Sequence, residues 1–184
     1  MRHFIANSES LHVPDITFHG VPTTHPPGVP MSVPKSVTEF LSQRRIAVAG
    51  VSRDGRQPGN AIYRRLRERG YQVFAVNPRQ GHAEGDPCWP SLEALPERVD
   101  GVVALTPPAQ SEVLVRDCAR LGIPRIWMHR SVGQGSVSPE AAAYGRSHGV
   151  EVLEGGCPMM YCGKVDPAHA CIRWVLGVMG KLPR

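Results

Sequence analysis

The sequence predicts an α/β fold: a single three-layer, Rossmann-like domain built on a doubly wound parallel sheet. Short apolar segments alternate with longer segments of helical character from residue 36 to the end of the chain. The apolar segments show almost no polar alternation, which is typical of strands covered by helices on both faces. Glycine follows several of the helical segments, as expected at helix C-termini. In such a fold, ligands bind beyond the carboxyl ends of the strands.

The pattern predicts five strands and five helices. The strands are expected at residues 45–49, 71–76, 101–105, 125–128 and 150–153. The helices are expected at residues 36–43, 58–69, 108–121, 138–148 and 167–179, with a further helical turn at 91–95. Thr106, Ser138 and Asp166 each precede a proline, and a capping residue followed by proline is a common helix start.

Residues 1–35 differ in composition from the domain predicted at 36–184. They contain six prolines, at positions 14, 22, 26, 27, 30 and 34. Such a segment cannot sustain a helix and favours extended backbone. We therefore expect an N-terminal arm that is disordered or drapes over the domain. The four histidines of this arm have no ligand-like spacing on a regular element, so a metal site is not predicted there.

Composition limits the partners and the compartment. The chain has 184 residues, 41% of them hydrophobic, and a net charge of +5. No apolar run is long enough to span a membrane and no signal peptide is recognisable, so we expect a cytoplasmic protein. Its five cysteines, an odd number with irregular spacing, are then expected to be reduced. The positive charge suits anionic small molecules. No recognition-helix arrangement accompanies it, and the arginines of residues 64–69 are most simply a solvated helix face, so nucleic-acid binding is not predicted.

The loop after the first predicted strand is the most informative segment. Gly50 allows a tight turn, and Val51, Ser52 and Arg53 lead towards the helix expected from Pro58. A strand, a tight turn and a helix N-terminus form a common phosphate-binding unit. The loop lacks the second glycine of the usual dinucleotide-binding fingerprint, however. An ordinary strand–helix turn with surface arginines is the alternative.

The loop after the second strand argues against NAD. Dinucleotide-binding units usually place an acidic residue there for the ribose hydroxyls. This chain has Asn77, Pro78 and Arg79 instead. Asn77 can hydrogen-bond its own loop, Pro78 stiffens the turn, and Arg79 can pair with a phosphate. A turn with a solvated arginine is again the alternative.

Two further loops belong to the same expected edge of the sheet. Thr106, Pro107 and Pro108 follow the third strand, and Thr106 is a candidate helix cap. His129 follows the fourth strand and can stack on a ligand or hydrogen-bond to it, although a merely structural role is the alternative.

The cysteines of the C-terminal quarter suggest a nucleophile or a zinc site, but the sequence around them supports neither. Cys157 is a conceivable nucleophile, but no base can be assigned to it. Cys157, Cys162, His169 and Cys171 do not have the spacing of a common zinc site. Cys171 lies on an apolar helical stripe, so we expect it to be buried in the core.

Five of these segments, taken together, resemble the family of stand-alone CoA-binding domains, which are related to the succinyl-CoA synthetase α subunit. They are IAVAGVS at 46–52, VFAVNP at 73–78, GVVALTPP at 101–108, IWMHRS at 126–131 and GGCP at 155–158. The resemblance covers about residues 37–181 and leaves out the arm. It implies a Rossmann-like domain that binds coenzyme A, or an acyl-CoA.

The resemblance also implies a role for each loop. Residues 50–52 would contact the pyrophosphate, and residues 77–79 would lie beside the adenosine and its phosphate. Residues 106–108 would form a wall of the binding cleft. Met128 and His129 would line the pantetheine side, where many relatives carry Gln in place of His129.

We therefore predict a small CoA-binding module and assign no catalytic residues to it. Two alternatives remain open: an enzyme, either NAD(P)-dependent or acyl-CoA-processing through Cys157, and a regulatory protein that senses CoA through a partner. The acyl group and the oligomeric state do not follow from the sequence.

Overall fold

The structure, a computed structural model, describes residues 33–79, 81–131, 133–163, 165 and 167–183. The arm predicted at residues 1–35 lies almost wholly outside this part, so its separation from the domain stays a prediction. The expected cap at Asp166 also lies outside the described residues. None of the described helices combines the length and the apolarity that a membrane span requires.

The domain contains five α-helices, one 3-10 helix at Pro158–Met160 and seven strands in its described part. The helices are α1 (Lys35–Leu41), α2 (Pro58–Glu68), α3 (Pro108–Leu121), α4 (Pro139–Ser147) and α5 (Pro167–Val178). The strands are β1 (Arg45–Ala49), β2 (Gln72–Val76), β3 (His82–Ala83), β4 (Asp86–Trp89), β5 (Gly101–Ala104), β6 (Arg125–Met128) and β7 (Glu151–Glu154). The predicted strands and helices are thus confirmed to within two residues, whereas 91–95 contains only a single hydrogen-bonded turn.

The sheet has the predicted doubly wound topology. Its strand order is β3-β4-β2-β1-β5-β6-β7, and only the β3–β4 pair is antiparallel. From β1 the chain first builds outwards through β2 and then returns to place β5 on the other side of β1. The connections therefore diverge between β1 and β5, and this divergence opens a crevice at the carboxyl ends of the strands.

Alternate residues of the strands face two separate cores, which makes the domain three-layered. Ile46 and Val48 of β1 face a core closed by α1, α2 and α5. Ala47 and Ala49 face a second core closed by α3 and α4. Trp127 is fully buried on the first side, where its ring meets Phe40 edge-on at 5.4 Å between ring centroids. The near-continuous apolar strands follow from this double coverage.

Two predictions about helices are wrong. Thr106 does not cap α3: Pro107 occupies the N-cap position, and the Thr106 hydroxyl instead lies 3.1 Å from that of Ser111. Cys171 is exposed rather than buried. Helix α5 buries Leu176, but Trp174 and Val178 of the same helix are 63% and 72% exposed. Helical periodicity identified an apolar helix without showing which of its faces the fold covers.

The cap at Ser138 is confirmed, because its hydroxyl accepts a hydrogen bond from the Ala141 N–H at 3.2 Å.

The segment 77–90, expected to be a loop, contains the β3–β4 hairpin. The hairpin adds β4 to the edge of the sheet beside β2. Arg64 and Arg67 of α2 form ion pairs with Glu84 and Asp86 of this hairpin. The interpretation of these two arginines as a merely solvated face is therefore wrong.

Candidate functional site

The β1–α2 loop passes very close to the neighbouring backbone. Gly50 has φ +103°, and a Cβ atom there would lie 2.5 Å from the carbonyl oxygen of Leu105. Gly59, in the first turn of α2, has no room for a side chain either, since a Cβ would lie 2.6 Å from the Gly50 carbonyl oxygen. Gly59 thus takes the part that a further fingerprint glycine usually plays in close helix–strand packing. Its position near the predicted helix start was the available signal, and the sequence analysis missed it.

A buried amide holds this loop in place. Asn60 is fully buried. Its Oδ1 accepts a hydrogen bond from the Ser52 N–H at 3.1 Å, and its Nδ2 donates to the Ser52 carbonyl oxygen at 2.6 Å. The same Nδ2 lies 2.6 Å from Oε1 of Glu84, on the β3–β4 hairpin. Asn60 therefore connects the loop, α2 and the hairpin, a role that nothing in the local sequence indicates.

Glu84 provides the carboxylate that pairs with the Asn60 amide. The backbone of Glu84 has φ 55°, a left-handed conformation that is uncommon for residues other than glycine. Burial alone raises the pKa of Glu84, but the hydrogen bonds from Arg64 and Asn60 outweigh burial and lower the pKa below its usual value. The carboxylate therefore stays ionised at neutral pH and keeps the hairpin attached to α2.

We expect the Asn60→Ala variant to lose about 2–3 kcal/mol of stability, because both backbone groups of Ser52 lose a buried partner. Urea denaturation followed by circular dichroism measures this loss. Gln72→Ala, which removes an exposed amide from β2, is the control and is expected to change stability by about 0.5 kcal/mol or less. Equal stability of the two variants would contradict the bracing role of Asn60.

The predicted loop structure after β2 is confirmed. Oδ1 of Asn77 accepts a hydrogen bond from the Arg79 N–H at 3.0 Å, which is the local bond expected from the sequence. Nδ2 of Asn77 donates to the Val51 carbonyl oxygen at 2.9 Å. The loops after β1 and β2 are thus connected by one side chain. No acidic residue occupies positions 77–79.

A cleft of about 560 Å³ opens at the carboxyl ends of β2, β1 and β5. Its walls come from the ends of these strands, the segment after β4 and the exposed side of α3. The lining residues are Ala49, Gly50, Val76, Asn77, Pro78, Arg79, Pro90, Ser91, Leu92, Leu105, Thr106, Pro107, Gln110, Val113, Leu114 and Asp117. Most of these side chains are apolar, and the two charged ones are Arg79 and Asp117. The size and lining suit a flat apolar or aromatic group with polar edges.

Half of the sequence-predicted site residues line this cleft: Gly50, Asn77, Pro78, Arg79, Thr106 and Pro107. The others lie elsewhere along the same edge of the sheet. Val51 and Met128 are fully buried in the core, and Ser52 and Arg53 lie in the loop that connects β1 to α2. Pro108 begins α3. The contacts proposed for these residues stay predictions.

The start of α2 follows this loop and carries the positive end of the helix dipole. Pro58, the first helical residue, has no N–H, and the N-cap Gln57 makes no side-chain hydrogen bond to the helix. The N–H groups of Asn60 and Ala61 both donate to the Gln57 carbonyl oxygen, at 3.0 and 3.4 Å, so this helix end offers partial positive charge rather than a row of free donors. This end of α2, together with Ser52 and Arg53, is suited to an anion.

The carboxyl ends of β6 and β7 form a separate part of this edge. His129 is held by hydrogen bonds from its N–H to the Ala104 carbonyl oxygen, at 3.0 Å, and from the Ser136 N–H to its own carbonyl oxygen, at 2.8 Å. The Arg130 N–H donates to the Gly156 carbonyl oxygen at 2.9 Å. Burial and the nearby His169 lower the pKa of His129 to about 4. His129 does not line the cleft described above.

The cysteines contribute no disulfide. None of the five is disulfide-bonded; Cys171 is exposed and the other four are buried. Within the described ranges, no group of three or more His, Cys, Asp or Glu residues is placed to hold a metal ion. Cys157, the thiol considered as a nucleophile, is 2% exposed.

The strand order and the helices on both faces of the sheet define a doubly wound, Rossmann-like α/β class of protein. The CoA binding domain family matches residues 44–163, and the chain belongs to this family.

Two curated relatives are ADP-forming acetate–CoA ligases. The type I enzyme of Archaeoglobus fulgidus is 36% identical over 75 residues, which is 41% of this chain and 11% of that protein. The type II α subunit of Pyrococcus furiosus is 28% identical over 85 residues, or 46% of this chain and 19% of the relative. The matched segment is thus a small part of both relatives.

Solved structures give a fuller overlap. A conserved hypothetical protein of Pyrococcus furiosus is 30% identical and has a TM-score of 0.53, with coverage of 59% of this chain and 90% of that one. A Thermus thermophilus protein is also 30% identical, with a TM-score of 0.56 and coverage of 63% and 86%. The dinucleotide-forming acetyl-coenzyme A synthetase 1 of Candidatus Korarchaeum cryptofilum is 26% identical, with a TM-score of 0.57 and coverage of 65% and 27%.

Proposed function

We propose that this protein binds coenzyme A, or an acyl-CoA, as a small binding module. The observation that carries the proposal is the mostly apolar cleft at the divergence point of the sheet, with Arg79 in its wall, in a chain that belongs to the CoA binding domain family. The adenine base would lie in the cleft among Pro78, Leu92 and Pro107. Apolar walls on a flat base supply burial, while Gln110 and Asp117 of α3 offer polar partners to its edge.

The phosphates would occupy the positive side of this region. The pyrophosphate would lie over the β1–α2 loop, where the Ser52 hydroxyl can donate a hydrogen bond and the start of α2 carries partial positive charge. Arg79 would pair with the 3′-phosphate, a group that CoA has and NAD lacks.

The absence of a carboxylate at residues 77–79 argues for CoA over NAD. Both hydroxyls of an NAD ribose call for an acceptor at the end of β2, and this chain offers an amide and a guanidinium there. The NAD(P)-dependent alternative therefore has no supporting contact in this part of the structure. The cleft walls likewise do not include Cys157.

Calorimetry with the purified chain tests the proposal. We expect affinity to rank CoA above dephospho-CoA and both above NAD. Mass spectrometry of ligand released from freshly purified protein, by denaturation, identifies any bound CoA or acyl-CoA independently. NAD binding as tight as CoA binding would refute the proposal.

A further inference from the structure

A serine and a histidine meet at the carboxyl end of β6. Oγ of Ser131 lies 3.0 Å from Nε2 of His129. From the sequence, His129 was considered by itself, as a group that can stack on a ligand or hydrogen-bond to it. The two residues are separated by Arg130, and only the turn of the backbone after β6 brings their side chains together.

The histidine of this pair is a neutral hydrogen-bond acceptor. Burial and the nearby His169 lower the pKa of His129 to about 4, so its imidazole is neutral at neutral pH and is a weaker base than a free imidazole. In the tautomer with its proton on Nδ1, the Nε2 atom has a free lone pair directed at the serine hydroxyl. This is the contact by which a histidine base activates a serine nucleophile.

The pair is held by its neighbours rather than lying on a loose surface loop. The backbone of His129 is hydrogen-bonded to Ala104 and Ser136, and Arg130 is bridged to Gly156. Nε of Arg130 is buried and has no hydrogen-bond partner among the described residues. The Arg130 guanidinium itself lies beside Gly155, directly after β7.

The position of the pair suits the reactive end of the proposed ligand, so this step rests on the proposed function. The cleft proposed for adenosine covers the ends of β2, β1 and β5, and the proposed pyrophosphate position is over the loop that follows β1. The next strand beyond β5 is β6, which ends at Met128. A pantetheine arm that left the pyrophosphate along this edge, away from the cleft, would run towards His129 and Ser131.

We propose that Ser131 and His129 hydrolyse the thioester of a bound acyl-CoA. Oγ of Ser131 attacks the thioester carbonyl carbon while Nε2 of His129 takes the hydroxyl proton. The carbon–sulfur bond breaks, and the histidine returns this proton to the sulfur of CoA. A water molecule then attacks the acyl-serine ester, with its proton passing through His129 to Oγ of Ser131. The products are a carboxylic acid and free CoA, with no change of oxidation state.

The experiment follows the release of CoA thiol from acetyl-CoA by the full chain, and detects acyl-enzyme by mass spectrometry after rapid acid quenching. We expect catalysed release in the wild type. Ser131→Ala and His129→Gln should each lower the rate at least tenfold while the affinity for CoA changes less than about threefold. The acetyl group should be found on the peptide that contains Ser131.

The surface of α4 provides a matched control. Oγ of Ser147 also lies 3.0 Å from a histidine ring nitrogen, Nδ1 of His148, but this exposed pair is on the helix rather than beyond a strand. Ser147→Ala and His148→Gln should leave the rate unchanged.

The outcomes separate this inference from the proposed function. CoA binding without hydrolysis of acetyl-CoA or of a longer acyl-CoA, such as octanoyl-CoA, would overturn the inference and leave the binding proposal intact. A Ser131→Ala variant that retains the wild-type rate would also overturn it. Absence of CoA binding in the wild type would refute the binding proposal and the inference together.

Discussion

The Gly50→Val variant is expected not to fold. Any Cβ at this position would lie 2.5 Å from the carbonyl oxygen of Leu105, a backbone atom that cannot move without disturbing the end of β5. The backbone at Gly50 also has φ +103°, which residues with a side chain rarely adopt. The clash and the backbone strain add, so we expect a loss of about 4 kcal/mol or more. Circular dichroism and urea denaturation measure it, and Gly50→Ala, which has the same Cβ without the two added methyl groups, is the milder variant to measure if valine leaves no soluble protein.

Gly70 provides the matched control for this substitution. It follows α2 with φ +83°, and no described atom lies within 4 Å of the place that its Cβ would take. Gly70→Ala therefore tests backbone strain without the clash and should cost about 1–2 kcal/mol. If Gly50→Ala proves no more destabilising than Gly70→Ala, the close contact with Leu105 is unimportant. The comparison also shows that a Gly50 variant cannot by itself report on ligand contact, since the fold already requires glycine there.

The second large effect is expected from Arg79→Glu. A charge-assisted hydrogen bond is worth roughly 1.5–3 kcal/mol, so CoA should bind the wild type about 10- to 100-fold more tightly than dephospho-CoA. The variant should lose this preference, because its carboxylate repels the 3′-phosphate and leaves the shared adenosine and pyrophosphate contacts in place. Calorimetry with both ligands measures the ratio of the two affinities.

Lys35→Glu is the control for net charge. It makes the same change of two charge units on α1, where the Lys35 side chain is exposed and paired with Glu39. Its ratio of CoA to dephospho-CoA affinity should equal that of the wild type. A ratio that Arg79→Glu leaves unchanged would show that the 3′-phosphate does not contact Arg79.

Local patterns were sufficient for most of the fold. The helix Pro108–Leu121 and the strand Arg125–Met128 were predicted with their observed bounds. Both have strong local signals: proline at the helix start, glycine directly after its end, and a short apolar run in the strand. The β3–β4 hairpin was missed because its strands are two and four residues long and contain His82, Asp86 and Pro87. Such strands form because an edge partner is available, which local composition does not reveal.

The candidate site was likewise predictable only in part. The loops after β1, β2 and β5 could be found from the order of the elements, because the carboxyl ends of parallel strands lie at one edge of a sheet. The side-chain hydrogen bonds that hold these loops together could not be predicted from the sequence. Asn60 reaches Ser52 and Glu84, and Asn77 reaches Val51, across 8 to 26 residues of sequence.

Helix α5 shows a limit of helical periodicity as a predictor of side-chain burial. Its apolar residues indicated a buried face that includes Cys171, yet Cys171, Trp174 and Val178 are exposed. An apolar stripe reports that a surface favours burial, but whether another element covers that surface depends on the packing of the whole chain.

The sequence by itself determined the α/β class, the succession of strands and helices, and the edge of the sheet at which a ligand would bind. These properties follow from backbone propensity and from hydrophobic periods of a few residues, which are local. Only the tertiary structure decided that Gly59 packs on Gly50, that Asn60 braces the β1–α2 loop, and that Ser131 meets His129. Such contacts depend on strand order, helix orientation and the path of the backbone through its turns, and these are settled when the separate elements pack into common cores.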